Sequence, residues 1–134
     1  MRRILLDTSA YSAMRRNDER LLPHLQEAEQ IALTPVVLGE LLFGFVDGDL
    51  AAENRRLLRD FIESPRVSIL GIDEETAERY AVIRDYLRKH GTPIPVNALW
   101  IAASAAQHGL RLLALDDHFK RVPQVLLEFF EPRH

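Results

Sequence analysis

The sequence predicts one three-layer α/β/α domain over residues 1–134, built on a central, mainly parallel sheet. Three observations predict it. Short apolar runs alternate along the chain with longer helix-patterned segments, the order that parallel β-α-β connections require. A length of 134 residues with 47% apolar content suits a single compact core. No repeat, low-complexity tract or linker divides the chain.

The elements follow in order. Arg3 to Leu6 is short and apolar, a buried strand. Thr8 to Arg16 and Glu19 to Glu29 are helical in pattern. Ile31 to Leu33 is a second strand that ends at Thr34-Pro35. Proline suits a helix's first turn, and Val36 to Val46 follows as a helix. Leu50 to Ile62 continues the helical run, and Val67 to Leu70 is a strand ending at Gly71. Asp73 caps a long helix through His90, where Gly91 stops it. Pro95-Val96-Asn97 opens the next helix, which runs to His108 and stops at Gly109. Leu110 to Leu115 and Leu126 to Phe129 complete the strands.

Composition excludes several functions. There is no cysteine, so neither a disulfide framework nor a thiolate metal site exists. That suits a reducing cytoplasm, the expected location. The first apolar run, Ile4 to Leu6, is too short for a signal-peptide core. No stretch approaches the roughly 20 apolar residues that span a bilayer. The histidines, His24, His90, His108, His118 and His134, show no HExxH spacing, and there is no Walker loop, GxGxxG or GxSxG. The formal charge of −3 argues mildly against a nucleic-acid partner. Three local basic clusters soften this: Arg15 and Arg16; Arg55, Arg56 and Arg59; Arg84, Arg88 and Lys89. Each is either a solvated helix face or part of a basic footprint.

Three acids stand out by position. Asp7 directly follows Ile4-Leu5-Leu6, so it stands at a strand's carboxyl end, where sheets of this class build their sites. It is also a good N-cap for a helix from Thr8, and the two roles are compatible. Glu40 is the one charged residue from Pro35 to Val46, with Val36, Val37, Phe43 and Gly44 one helical turn away. Such a carboxylate either faces water on one narrow side or is partly buried. If buried, it must be neutralised, paired or metal-bound. Asp116 repeats the strand-end pattern after Leu115. Asp117 stands beside it, so one of the two can cap the short helix through Lys120 while the other works. Clustered carboxylates raise each other's pKa. Hard divalent cations relieve this, and Mg²⁺ takes oxygen ligands in octahedral geometry. The chemistry such a site serves is phosphoryl or phosphodiester transfer.

The segments Leu5-Leu6-Asp7-Thr8-Ser9-Ala10 and Val37-Leu38-Gly39-Glu40-Leu41 come early in the chain. Ile94-Pro95-Val96-Asn97 leads into Leu99-Trp100-Ile101-Ala102-Ala103, and Leu115-Asp116-Asp117-His118-Phe119 closes the set. In this order and spacing the chain resembles a PIN-domain ribonuclease of the VapC toxin type. The resemblance implies a parallel sheet with helices on both sides. It implies that Asp7 is the first metal-binding acid, Glu40 the second and Asp116 the fourth, with Asp117 a neighbour. Thr8 and Ser9 match the small hydroxyl residues after the first acid, and Asn97 precedes the third. At the third acid's position stands Ala98, and no charge lies between Ile94 and Ala106 to replace it. Ala114 also departs, from a usual serine or threonine.

The activity so implied is Mg²⁺- or Mn²⁺-dependent hydrolysis of RNA that leaves a 5′-phosphate. The implied partners are an RNA substrate, a cognate VapB-like antitoxin and a second copy in a homodimer, with no membrane. Ala98 implies that this chain is inactive or impaired, whether by deliberate inactivation or by natural decay. The alternative is a non-catalytic PIN-like module that binds RNA or protein. A weaker reading takes Leu6-Asp7-Thr8-Ser9 as a haloacid-dehalogenase-like nucleophile. That reading needs an acid where Ser9 stands.

Overall fold

The computed structural model describes residues 2–133, so His134 lies outside the described residues. Five strands, β1 (Arg3–Leu6), β2 (Gln30–Leu33), β3 (Val67–Ile69), β4 (Arg111–Ala114) and β5 (Leu126–Phe129), form one sheet in the order β3-β2-β1-β4-β5. Every pairing is parallel. β1, β2 and β4 each bury three consecutive residues. Successive side chains on a strand point to opposite faces, so both faces of the sheet are covered and the architecture is three-layered.

Six α-helices make the outer layers: α1 (Thr8–Arg15), α2 (Leu22–Glu27), α3 (Pro35–Phe45), α4 (Ala51–Ile62), α5 (Glu74–Lys89) and α6 (Val96–His108). Their ends follow local chemistry. Thr34 caps α3 by accepting from Val37 N, with Pro35 in the first turn. A capping box of Asp73 and Thr76 opens α5. Gly109 closes α6 at φ 62°, a left-handed backbone that favours glycine.

Two expectations need adjustment. The helix expected over Glu19 to Glu29 is a 3₁₀ turn, Glu19–Leu21, followed by α2. Pro23 has no N–H and is tolerated only in a helix's first turn, so the α-helix restarts just before it. The helical run expected to continue from Val46 into Ile62 is broken by a turn over residues 46–50, leaving α3 and α4 as separate helices.

The topology decides where the site lies. The chain grows outward from β1 through β2 to β3, then crosses back to place β4 on the other side of β1. The carboxyl ends of β1 and β4 therefore flank the switch point where open α/β sheets hold ligands. Among the described residues no helix is long and apolar enough to cross a membrane.

The core should respond unevenly to truncation. Leu112, central in β4, is fully buried, whereas Leu126 at the start of edge strand β5 is 57% exposed. Leu112→Ala should lower the unfolding free energy by about 2–5 kcal/mol, and Leu126→Ala by less than about 1 kcal/mol. Urea titrations of the two variants check this, and equal losses would contradict the covered-sheet arrangement.

Candidate active site

The sheet's carboxyl edge is held together around Asp7. Its N–H donates to Leu113 O at 3.2 Å, tying the end of β1 to β4. Its carboxylate caps α1 by accepting from Ala10 N at 2.8 Å. Ser9 Oγ lies 2.7 and 2.9 Å from the two Asp7 carboxylate oxygens, to which it donates. The same hydroxyl accepts from Leu115 N at 2.9 Å. One serine thus aims the Asp7 carboxylate and locks it to the strand that carries Asp116.

Asp7 is only 3% exposed. Burial pushes its carboxyl up from 3.8 to about 7, and the nearby Asp116 and Glu40 charges push the same way. The hydrogen bonds from Ser9 and Ala10 oppose the shift without cancelling it.

Glu40, one turn into α3, is half-buried. Thr8 Oγ1 donates to Glu40 Oε1 at 2.6 Å, and Asn97 Nδ2 reaches Glu40 Oε2 at 3.5 Å. The three elements that carry Thr8, Glu40 and Asn97 thereby meet on one carboxylate. Asp116, two residues beyond β4, accepts from His118 N at 2.9 Å and caps a 3₁₀ turn, Asp117–Arg121.

These residues surround one cavity of about 580 Å³, bounded by Asp7, Glu40, Asn97, Ala98, Asp116 and His118. Thr8 and Ser9 lie in the same wall. Ala98 occupies the first turn of α6, a helix whose N-terminus has no side-chain cap and no acid in that turn. Asp117 is exposed and lies outside the cavity wall, although its carboxylate falls within 4.8 Å of ligand atoms of Asp116 and His118.

His118 was not singled out from the sequence. Its Nδ1, shielded from solvent, lies 2.8 Å from Asp116 Oδ1 but makes no well-aligned hydrogen bond to it. The available signal was its place two residues after a strand-end acid. Lone histidines carry little weight without a spacing motif, so it passed as one of five.

Among the described residues no lysine or arginine lines the cavity. The donors are therefore carboxylate, hydroxyl and amide oxygens with one imidazole, a set suited to a hard divalent cation. A carboxyl held protonated chiefly by burial, with two like charges adding to the shift, is the electrostatic condition that a cation relieves.

Comparison with known proteins identifies the family. Ribonuclease VapC4 of Mycobacterium tuberculosis is 31% identical over 125 residues, covering 93% of this chain and 95% of that protein. A DNA-bound structure of VapBC2 from Rickettsia felis contains a chain that superposes with a TM-score of 0.80 at 25% identity, covering 95% of this chain and 98% of that one. A chain of VapBC-5 from Mycobacterium tuberculosis, a member of the VapBC family of toxin–antitoxin systems, gives 0.76 at 28% identity, covering 98% of this chain and 100% of that one. The PIN domain family model matches residues 4–125, and the chain accordingly belongs to the PIN-domain family as a VapC-type member.

Proposed function

We propose that this chain is the toxin of a toxin–antitoxin pair, a metal-dependent endoribonuclease by descent, and that Ala98 leaves this form impaired. The observation that carries the reading is the meeting of Asp7, Glu40 and Asp116 on one cavity, with Ala98 in its wall. Asp7, Glu40 and Asp116 would hold Mg²⁺ or Mn²⁺. When bound, such an ion neutralises phosphodiester charge and lowers the pKa of a water.

The chain's own residues do the positioning. Ser9 keeps both Asp7 oxygens directed, and Thr8 fixes one Glu40 oxygen while Asn97 approaches the other. His118 stands beside Asp116, placed to exchange a proton near the scissile phosphate. Ala98 brings no side-chain oxygen to the cavity wall, so a cation held by Asp7, Glu40 and Asp116 would have one protein ligand fewer there. The alternative, a non-catalytic PIN-like module, draws on that same missing acid.

One relative of known structure is a member of the VapBC family of toxin–antitoxin systems, and a VapB-like antitoxin is the proposed partner here, together with a second copy of the chain in a reducing cytoplasm. The four large apolar residues beside Glu40, Leu41, Leu42, Phe43 and Phe45, are mostly covered. Leu41 is buried, and Leu42 and Phe45 pack against the core. Phe43 alone of the four is open, at 81% exposure, and Val46 and Leu50 nearby in the chain are exposed as well. This protein should run as a dimer in light scattering at tens of micromolar, and a strictly monomeric mass would count against the second copy.

Asp7 gives a pH signature. Its carboxyl keeps its proton to a higher pH in the folded protein than in the unfolded chain. Its ionisation therefore removes stability as pH rises from 3.8 to about 7. Melting temperatures taken in chelator should fall across that window more steeply than those of Asp7→Asn. Saturating Mg²⁺ should remove most of the difference, because the ion binds the ionised form. Parallel curves for the two proteins would mean that Asp7 is not held in this way.

The decisive test is Ala98→Asp. Carboxylates are favoured in a helix's first turn, so the fold should tolerate it. In chelator a further acid beside three others should lower the melting temperature slightly. With Mg²⁺ or Mn²⁺ the sign should reverse, by more than in the Ala98 form. Metal-dependent cleavage of a mixed RNA pool should appear and should vanish again on changing Asp7 to Asn. A variant that gains neither response leaves the non-catalytic module as the better reading.

A further inference from the structure

A second cavity adjoins the acidic one. It is about 270 Å³ in volume and lies between the last turns of α5 and the first turn of α6. Its floor is apolar, formed by Leu87, Pro93, Ile94, Val96 and Leu99, and Arg84 and Arg88 stand at its rim. Val96 lines both cavities and is 48% exposed, so it forms the partition between them.

The charges on the two sides of Val96 are opposite. The acidic cavity has three carboxylates and no lysine or arginine among its described lining residues. A polyanion cannot be held there by the protein's own charge. Cations nearby must carry its flanking phosphates. Arg88 pairs with Asp85 at 2.7 Å, but Arg84 has no carboxylate partner among the described residues. Its guanidinium instead donates to Tyr80 Oη at 2.6 Å and lies 5.8 Å over the Tyr80 ring. Tyr80 in turn stacks on Trp100 at 4.1 Å. Arg84 is thus a held but electrically unspent cation. Arg121 donates to Pro93 O at 2.9 Å and braces the segment that carries the floor.

An apolar slot with a free guanidinium at its rim, one side chain from a phosphodiester site, has the features that single-stranded nucleic acid selects. Bases stack on apolar and aromatic surfaces, and arginine meets the backbone. We propose that this slot is a nucleotide subsite. It takes a base adjacent to the scissile position against Val96, Ile94 and Leu99, and Arg84 meets that nucleotide's phosphate. The proposal rests on the ribonuclease reading above. It assigns part of the recognition of single-stranded RNA to α5 and α6 rather than to the acidic cavity.

The form with Ala98 is suited to the test, because binding can be read without cleavage. The probe is a short fluorescent single-stranded RNA of mixed sequence in Mg²⁺, followed by anisotropy. Arg84→Glu should weaken binding roughly fivefold or more at low salt, and reduce the salt slope of binding by about one. Arg16→Glu, the same charge change at the far end of α1, should leave both unchanged. A 4-thiouridine probe should photo-cross-link to the peptide spanning residues 87–99, and Val96→Asp should abolish that cross-link while the melting temperature holds. Loss of binding in both charge variants would show a general field effect and overturn the subsite. So would undiminished binding with Arg84→Glu, and the ribonuclease reading would still stand. A Val96→Asp variant that changes oligomeric mass but not RNA binding would show the slot to be a seam between copies. Failure of the unaltered chain to bind the probe at all would overturn the subsite, while metal-dependent cleavage by Ala98→Asp would still decide the ribonuclease reading.

Discussion

The parallel pairing of β1 with β4 sets Leu6 opposite Leu113, and the chain continues from each strand into an acid. Ser9 then joins the two strand ends by accepting from Leu115 N while donating to Asp7. The rest of the site hangs on this register. A one-residue slip would move Asp7 away from Leu113 O and turn every β1 side chain to the opposite face. The covered sheet makes such a slip costly, because Ile4, Leu5 and Leu6 are all fully buried. The core thus acts on function chiefly by holding two carboxylates at a fixed separation.

The arrangement carries an electrostatic cost. Three acids share one cavity, and the most buried of them holds its proton up to about pH 7. Hydrogen bonds from Ser9 and Ala10 offset part of the burial penalty, and the Thr8 bond does the same for Glu40. Alanine at position 98 lowers the repulsion in the absence of a cation. On the proposed reading, the same residue withholds an oxygen donor from the cation. On that reading, stability without metal and affinity for metal would be set against each other at this position.

On the proposed reading the two cavities would divide the electrostatic work. An acidic site for a reacting phosphate would need a cation, and it would repel the phosphates on either side. Arg84, without a carboxylate partner among the described residues and on the far side of Val96, would answer that repulsion. An overall charge of −3 is consequently a poor guide to this chain's ligands, because a field is read locally at a cleft rather than from the sum.

By itself the sequence determined the alternation of elements, the strand ends and most helix boundaries, since these rest on local rules: apolar runs, proline in first turns, Asp73 as a cap, Gly109 as a stop. It also marked Asp7, Glu40 and Asp116, because a lone acid in an apolar segment is conspicuous in one dimension. Tertiary structure alone decided that Ser9 would bridge two strands 106 residues apart in its bond to Leu115, that Thr8 and Asn97 would meet on Glu40, and that His118 rather than Asp117 would face the cavity. It also decided that Val96 would stand between two cavities. Each of these depends on contacts between segments far apart in the chain. Their pairing is chosen by how the layers pack over the sheet, and no periodicity or spacing along the chain records it.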